Sequence, residues 1–367
     1  MDILIFIVVI VALILVHELG HFIAAKLSGM RVDEFGLGYP PRALVLGKIG
    51  ETSYTLNWLP FGGFVKIYGE DPSLDKARDA RAFSSKPRFA QAVVLVAGVA
   101  MNLLFAYVLI TGALIAGTPR ALTEEELPGA VDVQLAVSNV LAGSPAARAG
   151  LLPGDTILSA EDGHYVFEGA DAAAFTKFVA EGGGNTTVAL TVKRAGGEEE
   201  VLFARPEAGV IPADPSRAAL GVEVAPVGVV PLSLGEAVAQ GARLTWSATQ
   251  LTAEGLWHFF FGVFTLSADL SQVAGPVGIA GVVGSASAQG IGYLLSIMAI
   301  ISINLALINL IPVPALDGGR LLFVLIESVI RRPIKASVAH AVNAVGFIFL
   351  ILLMLVVTAH DIFRIVG

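Results

Sequence analysis

Four long apolar stretches constrain the fold of this chain more strongly than any other feature. They cover roughly residues 3–26, 92–117, 291–311 and 338–357. A helix needs about 20 mostly apolar residues to cross the hydrocarbon core of a bilayer, and each stretch supplies them. Apolar residues make up 55% of the chain, which is more than soluble domains usually carry. The sequence therefore predicts a polytopic α-helical membrane protein with four transmembrane helices and a soluble insert between the second and the third.

The first stretch is predicted to stay in the protein as a transmembrane helix. Secretory signal peptides begin with a basic region and end at a small-residue cleavage site. This chain begins Met1-Asp2 and carries His17 and Glu18 inside its apolar run. We therefore expect an uncleaved span.

The distribution of basic residues predicts the orientation of the four helices. Lys and Arg are frequent in the loop over 29–89 and in the short loop before the fourth helix, whereas the longer insert has no such excess. Short cytoplasmic loops of membrane proteins carry this excess. We expect a multi-pass protein of the cell inner (cytoplasmic) membrane, embedded in the lipid bilayer, with both termini and the insert extracytoplasmic.

The composition also argues against two other kinds of site. The net charge is −8 and no basic patch with interleaved aromatic residues is present, which argues against nucleic-acid binding. The chain contains no cysteine, and this excludes disulfides and thiolate metal ligands.

The spans and the segments between them predict the domain organisation. The predicted parts are transmembrane helix 1 over 1–28, a cytoplasmic loop with a membrane-associated β-meander over 29–89, transmembrane helix 2 over 90–117, an extracytoplasmic region over 118–230 with a small β/α domain at about 131–206, an amphipathic or re-entrant region over 231–288, transmembrane helix 3 over 289–320, and a cytoplasmic loop with transmembrane helix 4 over 321–367.

Local patterns predict several elements within these parts. Three runs of strand-forming residues predict the β-meander, with turns at Gly50-Glu51 and at Pro60–Gly63. Ser144 followed by Pro145 predicts the start of a helix in the insert. The stretch over 273–284 is too rich in Gly and Pro to predict a regular helix, so we expect a loop or a re-entrant segment there.

In the first apolar stretch, an uninterrupted apolar run from Ile3 to Val16 leads into His17-Glu18-Leu19-Gly20-His21. Residues four apart share one face of a helix, so both imidazoles can reach one metal ion, with Glu18 beside them as a base for an activated water. This is the H-E-x-x-H arrangement of zinc hydrolases. Chance occurrence is the alternative, but unpaired ionisable groups in hydrocarbon cost a few kcal/mol each. We therefore predict a zinc site in this span.

A zinc site of this kind needs a third protein ligand. The third span is followed by an acidic residue, Asp317, which the predicted orientation brings to the same membrane level as the two histidines. Prolines in this region free backbone groups, and such breaks are tolerated in membranes only beside protein or water. A solvated loop at the membrane edge is the alternative for Asp317.

These residues resemble a known family. HELGH in the first span, NLIPVPALDGGR after the third, and a single insert domain are similar to the site-2 intramembrane metalloproteases, most closely to the bacterial RseP group. PFGGFVKIYGED resembles that group's membrane-associated β-hairpin, and SNVLAGSPAARAGLLPGDTIL resembles its PDZ domain. VAGPVGIA matches a segment that precedes the third span.

The resemblance implies roles for particular residues. It implies that His17, His21 and Asp317 are ligands of Zn²⁺ and that Glu18 is the general base of a zinc metalloendopeptidase. It also implies that four residues lie near the substrate, namely Asn304, Asn309, Pro312 and Pro314.

Three features depart from the pattern of the RseP group. We find one PDZ domain instead of two, which bears on how substrates are selected. The second span reads GVAMN and lacks the family's proline, although it keeps Gly98 and Asn102. Arg320 stands where a histidine often follows the LDGG motif. The last two departures leave the predicted metal ligands intact.

The resemblance implies intramembrane cleavage of single-span membrane proteins, such as anti-sigma factors or remnant signal peptides, usually after a first cut by a site-1-type protease. A catalytically inactive PDZ-bearing membrane scaffold is the alternative, and the presence of Glu18 argues against it. A transporter with broken helices, which would bind no zinc, is a third reading.

A substrate helix must become extended to be cut, and extended backbone in lipid needs hydrogen-bond partners. A strand edge supplies them by strand addition. The edge predicted for this role is the run Phe64-Val65-Lys66, which follows the Gly62-Gly63 turn and continues to Tyr68. A hairpin that only caps the helices is the alternative.

Overall fold

A computed structural model describes residues 2–70, 79–182, 186–194, 197–211, 214–265, 274–332 and 334–366. The chain forms two compact units. Unit 1 consists of Met1–Ala116 with Leu234–Gly367, and unit 2 consists of Gly117–Ser233.

The helices of the described residues are α1 (Asp2–Leu27), α2 (Arg88–Ile115), α3 (Pro145–Arg148), α4 (Ala172–Glu181), α5 (Leu234–Thr265), α6 (Pro276–Gln289), α7 (Ile291–Leu310), α8 (Asp317–Ile330) and α9 (Ala336–Val366). The strands are β1 (Val32–Ile49), β2 (Thr52–Ile67), β3 (Arg120–Ala121), β4 (Val131–Val140), β5 (Thr156–Glu161), β6 (Val166–Glu168), β7 (Val188–Lys193), β8 (Glu199–Ala204) and β9 (Val222–Val229).

Among the described residues, four helices are long and apolar enough to cross a membrane. They cover Ile3–Leu27, Arg88–Ile115, Ile291–Leu310 and Ser337–Phe363. The prediction of four helices long and apolar enough to span a membrane is confirmed, and their bounds lie close to the predicted ones.

Small residues bring the helices of unit 1 together. Helices α2 and α7 meet around Ala106 and Ala299, both of which are fully buried. Helix α1 packs against α6 through Leu13 and Val283. At Gly20 of α1 a Cβ would overlap with the carbonyl group of Ala97 on α2. Helix contacts through small residues are typical of membrane proteins, where such residues let backbones approach closely.

The predicted β-meander of three short strands is wrong in detail. The structure has two long, strongly bent strands, β1 and β2, which pair with several register shifts. Pro60–Gly63 lies within β2 instead of between two strands. Because both strands bend, Phe35 of β1 pairs with Val65 on one side and with Tyr54 on the other. The segment over 63–67 therefore lies at one edge of the sheet.

A buried carboxylate ties the segments of this sheet together. Glu34 accepts hydrogen bonds from Arg42 at 2.5 Å and from the Thr55 hydroxyl at 2.7 Å. Burial raises the pKa of Glu34, but these hydrogen bonds outweigh it, so the pKa lies below its usual range. The group is therefore ionised at neutral pH, and its bonds join the Arg42 part of β1 to the Thr55 part of β2.

The prediction that the stretch over 273–284 forms no regular helix is also wrong, whereas a re-entrant placement stays a prediction. Pro276 to Gln289 form the regular helix α6, while residue 273 lies outside the described residues. Pro276 occupies the first turn, where a missing N–H costs nothing. The glycines are tolerated because tertiary packing against α1 outweighs their low intrinsic helix propensity.

Unit 2 is a small mixed domain with one sheet in the order β3-β9-β4-β5-β7-β8, and β6 pairs with β5. Ser144 caps α3, since its hydroxyl accepts a hydrogen bond from the Ala147 N–H at 3.2 Å, as predicted. The predicted domain end near residue 206 is wrong, because β9 lies inside the sheet between β3 and β4. Such pairing between strands distant in sequence is invisible to local patterns.

Candidate metal centre

Helix α1 presents its two histidines side by side on one face. The Nε2 atoms of His17 and His21 are 3.2 Å apart. Both side chains are buried, with exposed fractions of 6% and 7%. The i, i+4 spacing thus brings two nitrogen atoms to one point, as the sequence predicts.

Asp317 reaches this point from the first turn of α8. Its Oδ2 lies 3.0 Å from Nε2 of His17 and 3.1 Å from Nε2 of His21. The segment between α7 and α8 must turn tightly to bring it there. At Gly318 and Gly319 a Cβ would overlap with backbone atoms of Leu310 and Val313. The LDGG motif therefore keeps two glycines where the chain folds closely onto itself.

These three residues form a group that could hold a metal ion, with one ligand atom from each within 4.8 Å of the others. Imidazole nitrogen and carboxylate oxygen are ligands that zinc takes in proteins, at about 2.0–2.2 Å. Tetrahedral geometry at those bond lengths places neighbouring ligand atoms about 3.3 Å apart. The observed separations of 3.0, 3.1 and 3.2 Å fit such an ion. Three protein ligands leave a fourth position open, as in catalytic zinc sites.

Helix α2 supports the histidines from behind. A Cβ at Gly98 would overlap with both imidazole rings, so only glycine lets α2 pass this close. His21 Nδ1 lies 2.8 Å from the carbonyl oxygen of Val94. His17 Nδ1 lies 3.2 Å from the side-chain nitrogen of Asn102, which is fully buried. The Gly98 and Asn102 spacing in GVAMN thus places both residues against the candidate ligands.

Glu18 faces a cavity that connects the metal centre to the edge of the sheet. The cavity has a volume of about 140 Å³, and its lining includes Glu18, His21, Asp317, Phe64 and Val65. A Cβ at Gly63 would lie 3.2 Å from Cγ of Glu18, so this glycine allows the strand to approach the carboxylate closely. A base and a strand edge therefore share one small cavity.

An ion pair closes another side of the cavity. Arg320, one turn after Asp317 on α8, pairs with Glu70, which follows β2. Both residues line the cavity. Sequence reasoning noticed Arg320 only as a departure from the family pattern and missed Glu70 altogether. A single charged residue in a polar loop gives no local signal of such a contact.

The other predicted substrate-binding residues do not line this cavity. Asn304 and Asn309 are half-buried on α7, and Asn304 donates a hydrogen bond to the Ile300 carbonyl at 3.0 Å. Pro312 is exposed and Pro314 half-buried in the turn between α7 and α8. Gly62 and the exposed Lys66 flank the lining residues of β2. Their contact with substrate stays a prediction.

Comparison with known proteins identifies the family. The model of peptidase family M50 matches residues 5–353. A zinc metalloprotease of Nostoc sp., so described by its name, is 36% identical over 96% of this chain and 93% of its own length. One of Clostridium perfringens is 37% identical over 96% of this chain and 95% of its own length. A membrane metalloprotease of Arabidopsis thaliana chloroplasts is 31% identical over 97% of this chain and 77% of its own length.

A family match over most of the chain agrees with the four apolar helices and with a buried two-histidine, one-carboxylate group beside a glutamate. The chain therefore belongs to peptidase family M50 and is a membrane zinc metalloprotease.

Proposed function

We propose that this protein hydrolyses peptide bonds within the transmembrane segments of single-span membrane proteins. One observation carries the proposal: His17, Glu18 and His21 lie inside the candidate span Ile3–Leu27. His17 is about 21 Å along the helix from Ile3 at the α-helical rise. A bilayer core is about 30 Å thick, so the chemistry takes place within the hydrocarbon region, toward the cytoplasmic side of the predicted orientation.

His17, His21 and Asp317 are the proposed zinc ligands, and Glu18 is the proposed general base. Zinc in such a site acts as a Lewis acid that makes water a nucleophile near neutral pH. Glu18 takes the proton from the attacking water and returns it to the leaving amine of the cleaved peptide bond. The half-buried position of Glu18 on the cavity wall supports this role over that of an inactive scaffold.

The proposed substrates are single-span regulators such as anti-sigma factors, or remnant signal peptides, after a first cut by a site-1-type protease. The proposed location is the inner membrane, with the termini and unit 2 outside the cytoplasm. The excess of Lys and Arg in the two short loops supports this orientation.

A reconstitution experiment tests the proposed function. The purified full-length protein is incubated in detergent with a panel of single-span proteins, and mass spectrometry locates the cuts. We expect cuts inside the apolar segments that stop with a chelator and resume with zinc. Zinc-dependent cuts only in exposed loops would show a metalloprotease that does not act within membranes.

We further propose that the substrate is held in an extended form along the edge of β2. The segment over 63–67 pairs with β1 on one side, and no pairing of its other side occurs among the described residues. The Tyr68 N–H donates to the Arg31 carbonyl at 2.9 Å, toward β1. Because N–H groups alternate along a strand, those of Val65 and Ile67 point to the open edge.

Val65→Pro is therefore expected to remove an edge N–H while sparing the bonds to β1. Proline is tolerated at sheet edges, so the protein should fold and bind zinc. We expect cleavage of a single-span substrate to fall at least about tenfold, because extended backbone in lipid loses a partner. Ile67→Pro should have a similar effect, although Ile67 is also part of a hydrophobic cluster.

Val65→Ala is the matched control, since it trims the side chain and keeps the N–H. Its cleavage rate should stay close to that of the wild type. Wild-type rates in folded, zinc-loaded Val65→Pro and Ile67→Pro proteins would show that the sheet only caps the helices.

We also propose that unit 2 is a PDZ-like domain that filters substrates. Helix α4 and the chain leading into β9 form a groove of about 240 Å³, lined by Phe175, Val179 and Leu220 among others. The predicted orientation places this domain on the outer side of the membrane. It would exclude a substrate that still carries a bulky outer domain.

Deletion of the domain is expected to relax this exclusion. Removing only residues 131–206 would leave β9 without its partner strand β4. The deletion must therefore span 118–232. Arg120 pairs with Gly228 in the sheet, and a short Gly-Ser linker can therefore join the cut ends. Untrimmed substrate should then be cut at a rate approaching that of trimmed substrate. If a folded deletion variant cuts neither substrate, the domain does more than filter.

A further inference from the structure

The two histidines differ in how their outer nitrogen atoms are held. His21 Nδ1 faces the Val94 carbonyl oxygen at 2.8 Å, and a carbonyl can only accept a hydrogen bond. The proton of neutral His21 therefore sits on Nδ1. Its Nε2 keeps a lone pair for a metal. Nothing further needs to change at this residue when zinc binds.

His17 is arranged in the opposite way. Its Nδ1 faces the side-chain nitrogen of Asn102 at 3.2 Å. An amide nitrogen can only donate, so in this orientation of the amide Nδ1 would accept and the ring proton would sit on Nε2. That proton points to Asp317 Oδ2, 3.0 Å away. A ring with its proton on Nε2 cannot bind a metal through that atom.

Asn102 has the chemistry to reverse this arrangement. Its amide carries an acceptor oxygen beside the donor nitrogen, and the two exchange places when the group rotates by half a turn. The Oδ1 atom is buried and has no hydrogen-bond partner among the described residues, so no hydrogen bond through that atom opposes the rotation. Helix α2 fixes the main chain of Asn102 beside His17, and its carbonyl also accepts a hydrogen bond from the Ser302 hydroxyl at 2.8 Å, so only the side chain needs to turn.

We infer that Asn102 is a positioning residue for zinc, whose side-chain oxygen accepts the Nδ1 proton of His17 when the metal binds. The amide thereby selects the tautomer that frees Nε2. Histidine ligands of zinc commonly donate their second N–H to such a partner, and loss of that partner typically costs about 10- to 100-fold in metal affinity or activity. The inference concerns zinc binding and does not depend on where a substrate is cut.

The test compares three variants of the full-length enzyme in detergent, with zinc affinity measured by competition with a chelator. Asn102→Leu removes the acceptor at similar volume and should weaken zinc binding about 10- to 100-fold. Asn102→Asp keeps an acceptor and should bind zinc at least as tightly as the wild type. Ser302→Ala, which loses the bond to the Asn102 main chain only, is the control for packing and should stay within about threefold of wild type.

A second measurement decides the question if Asn102→Leu does not fold. In zinc-loaded protein labelled with ¹⁵N-histidine, the His17 Nδ1–H should give a hydrogen-bonded resonance that moves in Asn102→Asp, where the acceptor becomes a carboxylate. Wild-type zinc affinity in a folded Asn102→Leu protein, or an unmoved His17 resonance in Asn102→Asp, would overturn the inference.

Discussion

Glu18→Gln is expected to reduce cleavage of a single-span substrate by at least about 100-fold, the lower end of what general acid–base catalysis contributes. Glutamine keeps the shape of the side chain but cannot take a proton from water. Glu18 lines the cavity beside the candidate ligands and does not belong to the group that could hold the metal. Zinc content should therefore stay near one ion per chain.

The measurement combines single-turnover cleavage with metal analysis of the same preparation. Glu70→Gln is an informative comparison, because Glu70 is a second carboxylate on the cavity wall that pairs with Arg320. It should lose far less activity if the role of Glu18 is specific. Residual turnover of Glu18→Gln within tenfold of wild type would rule out the base assignment.

Asp317→Ala is expected to lose both zinc and activity. The carboxylate supplies one of three ligand atoms, 3.0 and 3.1 Å from the two histidine nitrogen atoms. Two histidines alone leave a zinc ion under-coordinated. We expect zinc affinity to fall by more than about 100-fold, beyond the loss typical of partners outside the coordination sphere.

Asp317→Asn provides a graded comparison, since it keeps an oxygen atom in place without the negative charge. Its zinc affinity should lie between those of the wild type and Asp317→Ala. Asp361→Ala removes a different buried carboxylate of unit 1 and should leave zinc affinity unchanged. Full zinc occupancy in folded Asp317→Ala protein would contradict the ligand assignment.

The Glu18 and Asp317 variants and the Asn102 series separate three functions at one centre. Loss of activity with normal zinc content identifies the base. Loss of zinc with loss of activity identifies a ligand. Zinc affinity that is lost in Asn102→Leu but kept in Asn102→Asp identifies residue 102 as the hydrogen-bond acceptor that sets the His17 tautomer.

Local features of the chain were predictable from sequence because they depend on short-range geometry. Helical spacing alone places His17 and His21 on one face of α1. Length and apolarity alone indicate the four spans, whose helices the structure contains. Ser144 and Pro145 mark the start of α3 because capping involves only neighbouring residues.

Tertiary contacts decided what these local rules could not. The meeting of Asp317 with His17 joins residues 300 positions apart; in the sequence, the predicted orientation brought Asp317 only to the same membrane level, and the family resemblance implied its role as a ligand. The helix at 276–289 forms because packing against α1 outweighs its glycines. Strand β9 completes the sheet of unit 2 through partners distant in the chain.

The sequence by itself determined the membrane class, the four spans and the two histidines with their glutamate, because each follows from periodicity or composition within about 20 residues. Only the tertiary structure decided how α2 approaches the histidines, with Gly98 against both rings and Asn102 at His17. It also decided that the edge of β2 opens into the cavity beside Glu18. The physical reason is that packing between helices and pairing between bent strands depend on surfaces assembled from distant segments, which no local pattern encodes.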